Sequence, residues 1–126
     1  MSDVRHPVAV ATLPSENLIF WIDPSRGAIY RVRREGDDRR VVASNLQSPA
    51  RLAVDWVAKL VFWMDDLLDV IEVADIAGDK RYVVVSGNLD RPRDVEVDSA
   101  AGILFWTDVG QGGDSIEEKK LALVSA

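Results

Sequence analysis

The sequence contains no cysteine, a single histidine and no apolar run long enough to cross a membrane. Without cysteine there is neither a disulfide framework nor a thiolate metal site. That absence leaves the compartment open, because a closed all-β domain can stand without disulfides. The one histidine, His6, would have to serve any Ser-His-Asp arrangement, and its place near the chain start reads better as a solvated terminal residue. Neither the phosphate-cradling Gly-x-x-x-x-Gly-Lys nor the zinc-binding His-Glu-x-x-His occurs. A membrane span needs roughly 20 apolar residues in a row, and none is present. The stretch Met1 to Leu13 carries only a short apolar run broken by His6-Pro7, too irregular for a signal peptide. If the parent protein is secreted, this chain is therefore expected to be a piece of it. No Asn-x-Ser/Thr glycosylation acceptor is found. The formal charge of −6 argues against nucleic acid, whose phosphates need a basic stripe, and against anionic membrane surfaces.

What the chain does have is a phrase repeated at a fixed distance. Ile19-Phe20-Trp21-Ile22-Asp23, Val61-Phe62-Trp63-Met64-Asp65 and Leu104-Phe105-Trp106-Thr107-Asp108 each run from aliphatic to aromatic to tryptophan to aspartate. Their tryptophans fall at positions 21, 63 and 106, spacings of 42 and 43 residues. A period in the 40s with several short strands per period marks a β-propeller blade. Pro7, Pro49 and Pro92 each stand 14 residues before a tryptophan. Proline lacks an amide hydrogen and suits the loop entering a strand.

Each period divides into strands. First strands, nearest the propeller axis, are read at Val8 to Thr12, Leu52 to Asp55 and Val95 to Asp98. Leu13 breaks the pattern by standing where the later blades have Asp55 and Asp98. The aromatic phrases are second strands, and third strands are Ala28 to Arg33 and Val70 to Asp75. Gly36-Asp37 and Gly78-Asp79 turn each chain into a fourth strand, Arg39 to Ala43 and Arg81 to Val85, with glycine supplying a positive φ. Turn formers also follow the first strands of blades one and three at Pro14 to Asn17 and Ser99 to Gly102, whereas Trp56-Val57-Ala58-Lys59 is a weaker turn signal. In the third period, Ser115-Ile116-Glu117 matches Val70-Ile71-Glu72, and the pattern then fades. The fold class is all-β: blades of four antiparallel strands in one partial propeller, with blades at 5–45, 46–87 and 88–126.

These phrases resemble the Tyr-Trp-Thr-Asp (YWTD) repeats of the low-density-lipoprotein receptor family, which includes Wnt co-receptors and nidogen-like matrix proteins. The link Leu89-Asp90-Arg91-Pro92-Arg93-Asp94-Val95-Glu96-Val97-Asp98 and the turn opening Val54-Asp55-Trp56 are similar to the family's own. Phe20, Phe62 and Phe105 stand where tyrosine is usual in the family. The resemblance implies six blades, an extracellular or cell-surface location and a module that binds proteins without catalysing a reaction. Endocytic or Wnt co-receptor-like ligand binding would be its specific role. No cofactor is implied, and the expected partner is an extracellular protein.

On a strand of period 2 the three tryptophans share one face, where large rings can fill the wedge between blades. The structural set is thus Phe20, Trp21, Asp23, Phe62, Trp63, Asp65, Phe105, Trp106 and Asp108, the aspartates fixing turns by accepting backbone amides. A calcium site from these aspartates would need six to eight gathered oxygens, and no Asp-x-Asp-x-Asp-Gly loop supports it. Loops on a rigid scaffold carry function. The loops after the aromatic strands and the links between blades offer Arg26, Asp66, Asp69, Asp90 and Arg91 as the candidate contact surface. Three blades do not close a ring of six, so an apolar face and an unpaired edge are expected at each end, and head-to-tail self-association with them. Two alternatives remain: a lactonase-like propeller enzyme with an axial metal held by Asp55, Asp98, Asn88 or Glu96, and a structural matrix module.

Overall fold

Valine, isoleucine, phenylalanine and tryptophan in alternation favour extended backbone, because such side chains fit a pleated, half-buried surface. The computed structural model describes residues 9–86, 92–108 and 115–120. Its first sheet holds β1 (Val10–Leu13), β2 (Leu18–Asp23), β3 (Ala28–Arg33) and β4 (Arg40–Ala43). The second holds β5 (Pro49–Asp55), β6 (Leu60–Asp65), β7 (Val70–Asp75) and β8 (Arg81–Val85). The third holds β9 (Pro92–Asp98), β10 (Ile103–Asp108) and β11 (Ser115–Lys120). Every pairing is antiparallel between sequence neighbours. The architecture is all-β, a row of propeller blades.

The register repeats with the sequence. Trp21 lies opposite Val10, Trp63 opposite Leu52 and Trp106 opposite Val95. Pro49 and Pro92 begin strands rather than preceding them, the position where a missing amide hydrogen does least harm. β11 continues to Lys120, beyond the point where the side-chain pattern fades, because pairing uses backbone groups that every residue carries. The stretch where the last fourth strand would fall, 121–126, lies outside the described residues.

The turn between the first and second strands is made differently in each blade. Asp55 accepts the amides of Val57 and Ala58 at 3.0 Å each, and Lys59 takes a positive φ of 61°. This aspartate, not a turn former in the loop, makes the Trp56 to Lys59 turn, so the weak turn signal there is misleading. Asp98 accepts the Ala101 amide at 3.1 Å. Leu13 has no such oxygen; it is fully buried, and a 3-10 turn over Pro14–Glu16 closes on Asn17 at φ 59° instead. Gly36 and Gly78 take φ values of 94° and 83°, as a tight turn into the fourth strand requires.

Packing between blades follows from period 2. Trp63 and Val61 point to blade one and join Leu13, Phe20, Ile22 and Ile29 in one core. Phe62 and Met64, on the opposite face of the same strand, join Val95, Leu104 and Trp106 of blade three. All six residues of β6 are buried as a result. Each such side chain contributes roughly 1.5–3 kcal/mol of burial free energy. Arg81 fastens the first seam. Its Nε and Nη2 donate to Glu72 Oε1 and Oε2 at 3.0 and 3.4 Å, and its Nη1 donates to the Ser44 carbonyl of blade one at 2.7 Å. The same guanidinium lies 5.7 Å from the centroid of the Trp63 ring.

The outward face of blade one is less bare than an open blade would suggest. Trp21 is only 2% exposed and stacks on Tyr30 with centroids 5.4 Å apart. At the other end Ile116 is 76% exposed, beside a partly buried Phe105.

One glycine is fixed by contact as well as by φ. Gly27 has φ 57°, and a Cβ there would clash with the Leu46 carbonyl oxygen, on a residue whose amide donates to the Gly27 carbonyl at 2.9 Å. Gly27→Ala is expected to lower unfolding free energy by about 2–3 kcal/mol, measured as a shift in the urea midpoint; an unchanged midpoint would show that the link moves freely.

Candidate protein-binding face

In an antiparallel blade the loops after the second strands and the links between blades emerge on one face, opposite the first turns. The aspartates that end the aromatic phrases organise this face. Asp23, 1% exposed, accepts the Ser25 amide, the Ser25 hydroxyl and the Arg26 amide on Oδ1 at 3.1, 2.6 and 3.3 Å. Burial raises the Asp23 pKa, but the Ser25 hydroxyl, the two amides and the Arg26 guanidinium outweigh it and hold the carboxyl below its ordinary range. Asp65 spans two blades. Its Oδ1 accepts the amides of Leu67 and Leu68 in its own loop and of Ser48 in the preceding link, at 3.1, 3.2 and 3.2 Å. Its Oδ2 accepts the Gln47 amide at 3.1 Å. Asp108 is buried at the corresponding position of blade three.

Next to this clamp, two inner strands carry bulges. The β5–β6 register shifts between Ala50 and Leu52, leaving Arg51 without a cross-strand partner at φ 55°. In β9 the partners pass from Asp94 to Pro92, so Arg93 is the residue left over. A bulge bends the strand and re-aims a side chain. Both bulged residues are arginines, and with Ala50 and Asp66 they line a single polar groove of about 330 Å³. Arg51 Nε donates to the Arg93 carbonyl at 3.0 Å, joining the two bulges across the seam. Burial pushes the Asp66 carboxyl above its ordinary range; Asp65 and Asp69 add to this, while Arg51 and Arg93 oppose it.

Of the residues expected on this face, Asp66 lines the groove, and its amide donates to the Ser48 carbonyl at 2.9 Å. Asp69 is exposed at the end of the same loop with φ 52°. Arg26 is in the corresponding loop of blade one, where its Nε lies 3.7 Å from Asp23 Oδ2, and it does not line the groove. Asp90 and Arg91 lie outside the described residues. Arg51 and Arg93 were not expected; the only hint is that each follows a link proline within two residues. Phe20, Phe62, Trp63 and Asp65 are fully buried and Trp21, Trp106, Asp23 and Asp108 nearly so, whereas Phe105 is only partly buried and lines a small pocket with Trp106 and Ile116. Among the carboxylates an axial metal would need, Asp55 and Asp98 hold turns and Glu96 Oε1 accepts the Val97 amide at 3.1 Å. Asn88 lies outside the described residues. Among the described residues no three or more of His, Cys, Asp and Glu gather as metal ligands.

The repeated blades, each with a buried aspartate ending its aromatic strand, have a counterpart among known families. Residues 17–56 and 59–99 match the low-density lipoprotein receptor repeat class B. The chain belongs to this family. It is 36% identical over 113 residues to low-density lipoprotein receptor-related protein 5 of Mus musculus, a match covering 87% of this chain and 7% of that protein. Among solved structures it resembles a chain of the nidogen/laminin complex with TM-score 0.83 and 30% identity, over 91% of this chain and 44% of that one. A gluconolactonase from Xanthomonas campestris shares the fold at TM-score 0.69 and 18% identity, over 83% of this chain and 35% of that one. The chain thus spans a small part of the receptor-related protein and under half of each structural relative.

Proposed function

We propose that the chain is a non-catalytic protein-binding segment of an extracellular, receptor-type class B propeller, and that its partner docks on the face bearing the Arg51–Asp66–Arg93 groove. The groove carries the reading. Two guanidiniums aimed by bulges into one groove suit a carboxylate on a partner protein, because Arg pairs with carboxylates through parallel hydrogen bonds. Leu67 and Leu68, 66% and 54% exposed in the adjoining loop, add apolar contact area. Family membership supports the receptor-type role, and the neighbour solved as a nidogen/laminin complex supports protein recognition. That same neighbour favours one second reading, a matrix module whose partner is another matrix protein. The engagement of Asp55, Asp98 and Glu96 in backbone hydrogen bonds weighs against lactonase-like chemistry.

Selection of a displayed random peptide library on the immobilised chain tests the proposal. Selected peptides are expected to carry Asp or Glu. Arg51→Ala and Arg93→Ala should each weaken them about tenfold, roughly 1.4 kcal/mol, whereas Asp66→Asn should tighten them by removing the competing carboxylate. Peptides that bind all three variants as they bind the parent chain would remove the groove from the reading.

A further inference from the structure

On the face opposite the groove, blade two carries a tryptophan that the matching turns of blades one and three lack. The three turns between first and second strands end alike, at Asn17, Lys59 and Gly102 with φ 59°, 61° and 68°. Blade one places Pro14-Ser15 at the start of this turn and blade three places Ser99-Ala100, whereas blade two places Trp56-Val57. These two side chains are 57% and 56% exposed. Neither makes the turn, which Asp55 holds through the Val57 and Ala58 amides.

The turn is also tied to both neighbours. The Trp56 amide donates to the Ser99 hydroxyl at 3.2 Å. Lys59 Nζ donates to the Ser15 hydroxyl at 3.2 Å and lies 3.6 Å from Glu16 Oε2. The Ile76 amide donates to the Lys59 carbonyl at 3.3 Å. An indole on so constrained a backbone loses little backbone freedom when a partner covers it, the condition under which tryptophan becomes a binding anchor. Its surroundings select the chemistry of that partner. The flanking turns carry Glu16 on one side and exposed Asp98 on the other, and the one cation in the turn, Lys59, already faces Glu16. An arginine side chain can lie over the indole face while its guanidinium approaches a flanking carboxylate.

We infer that the Trp56–Val57 turn is a second protein-contact site, on the face opposite the groove, and that it takes a basic, arginine-bearing segment of a partner protein. The site is independent of the groove, because Asp66, Arg51 and Arg93 emerge at the other end of the strands. It would let one propeller segment hold two partners at once, an acidic one and a basic one.

The probe is acetyl-tetra-arginine amide, titrated into the intact chain by calorimetry at low salt, with acetyl-tetra-glutamine amide as the uncharged control. The expected result is saturable binding of the arginine peptide alone, weakened about tenfold by Trp56→Ala and by Asp98→Asn and unchanged by Asp66→Asn. Thermal unfolding of Trp56→Ala should match the parent chain, since the side chain is exposed and the turn is held by Asp55. Three results would overturn the inference: no saturable binding, equal binding by the Trp56→Ala chain, or loss of binding in Asp66→Asn, which would place the peptide in the groove.

Discussion

Asp65→Ala is expected to lower the unfolding free energy by about 4 kcal/mol, since hydrogen bonds to a charged group are worth roughly 1.5–3 kcal/mol each. Four amides lose their acceptor at once, those of Gln47, Ser48, Leu67 and Leu68. Two belong to the link leaving blade one and two to the loop of blade two, so the substitution frees a seam as well as a turn. Solvent can reach part of these loops and recovers some of the loss, which is why the sum of four bonds is not expected in full. Asp65→Asn keeps Oδ1 but turns an amide NH2 toward the Gln47 amide or toward the other three. Its cost should fall near half that of alanine, about 2 kcal/mol. Urea unfolding followed by tryptophan fluorescence measures both. A loss under about 1 kcal/mol for alanine would show that water satisfies the four amides as well as the carboxylate does.

Trp63→Ala has an effect of similar size from a different cause. The side chain is fully buried between blades one and two, and truncation leaves a cavity that neither sheet can collapse to fill. Large aromatic truncations of this kind cost about 3–5 kcal/mol. The Arg81 guanidinium also loses the ring beneath it, although it keeps Glu72 and the Ser44 carbonyl. Trp56→Ala supplies the control, since an exposed indole should cost less than about 0.5 kcal/mol in the same unfolding assay. Equal losses from the two tryptophans would contradict the seam assigned to Trp63.

The fold was legible because it is written three times. The spacing of Trp21, Trp63 and Trp106 locates the blades, and the third strands Ala28–Arg33 and Val70–Asp75 have the bounds that alternation alone suggests. The groove was not legible. Whether Arg51 or Ala50 is the odd residue of β5 depends on its pairing with β6, and a bulge leaves no trace in hydrophobic period. The reach of Asp65 was half visible: an aspartate at a strand end implies a capped turn, but its second oxygen meets a link 18 residues earlier in the chain. The Trp56 turn misled in the other direction. Its residues are poor turn formers, and the residue that makes the turn, Asp55, belongs to the strand before it.

The two-sided use of β6 gives its residue numbers a meaning. Val61 and Trp63 serve the contact with blade one, while Phe62 and Met64 serve the contact with blade three. Odd and even positions along this strand therefore report to different neighbours, and blade two sits as the middle element of a one-dimensional array with a separate coupling on each side. Two damaging substitutions of the same parity draw on one coupling and should interact. Two of opposite parity strike different couplings and should come closer to adding.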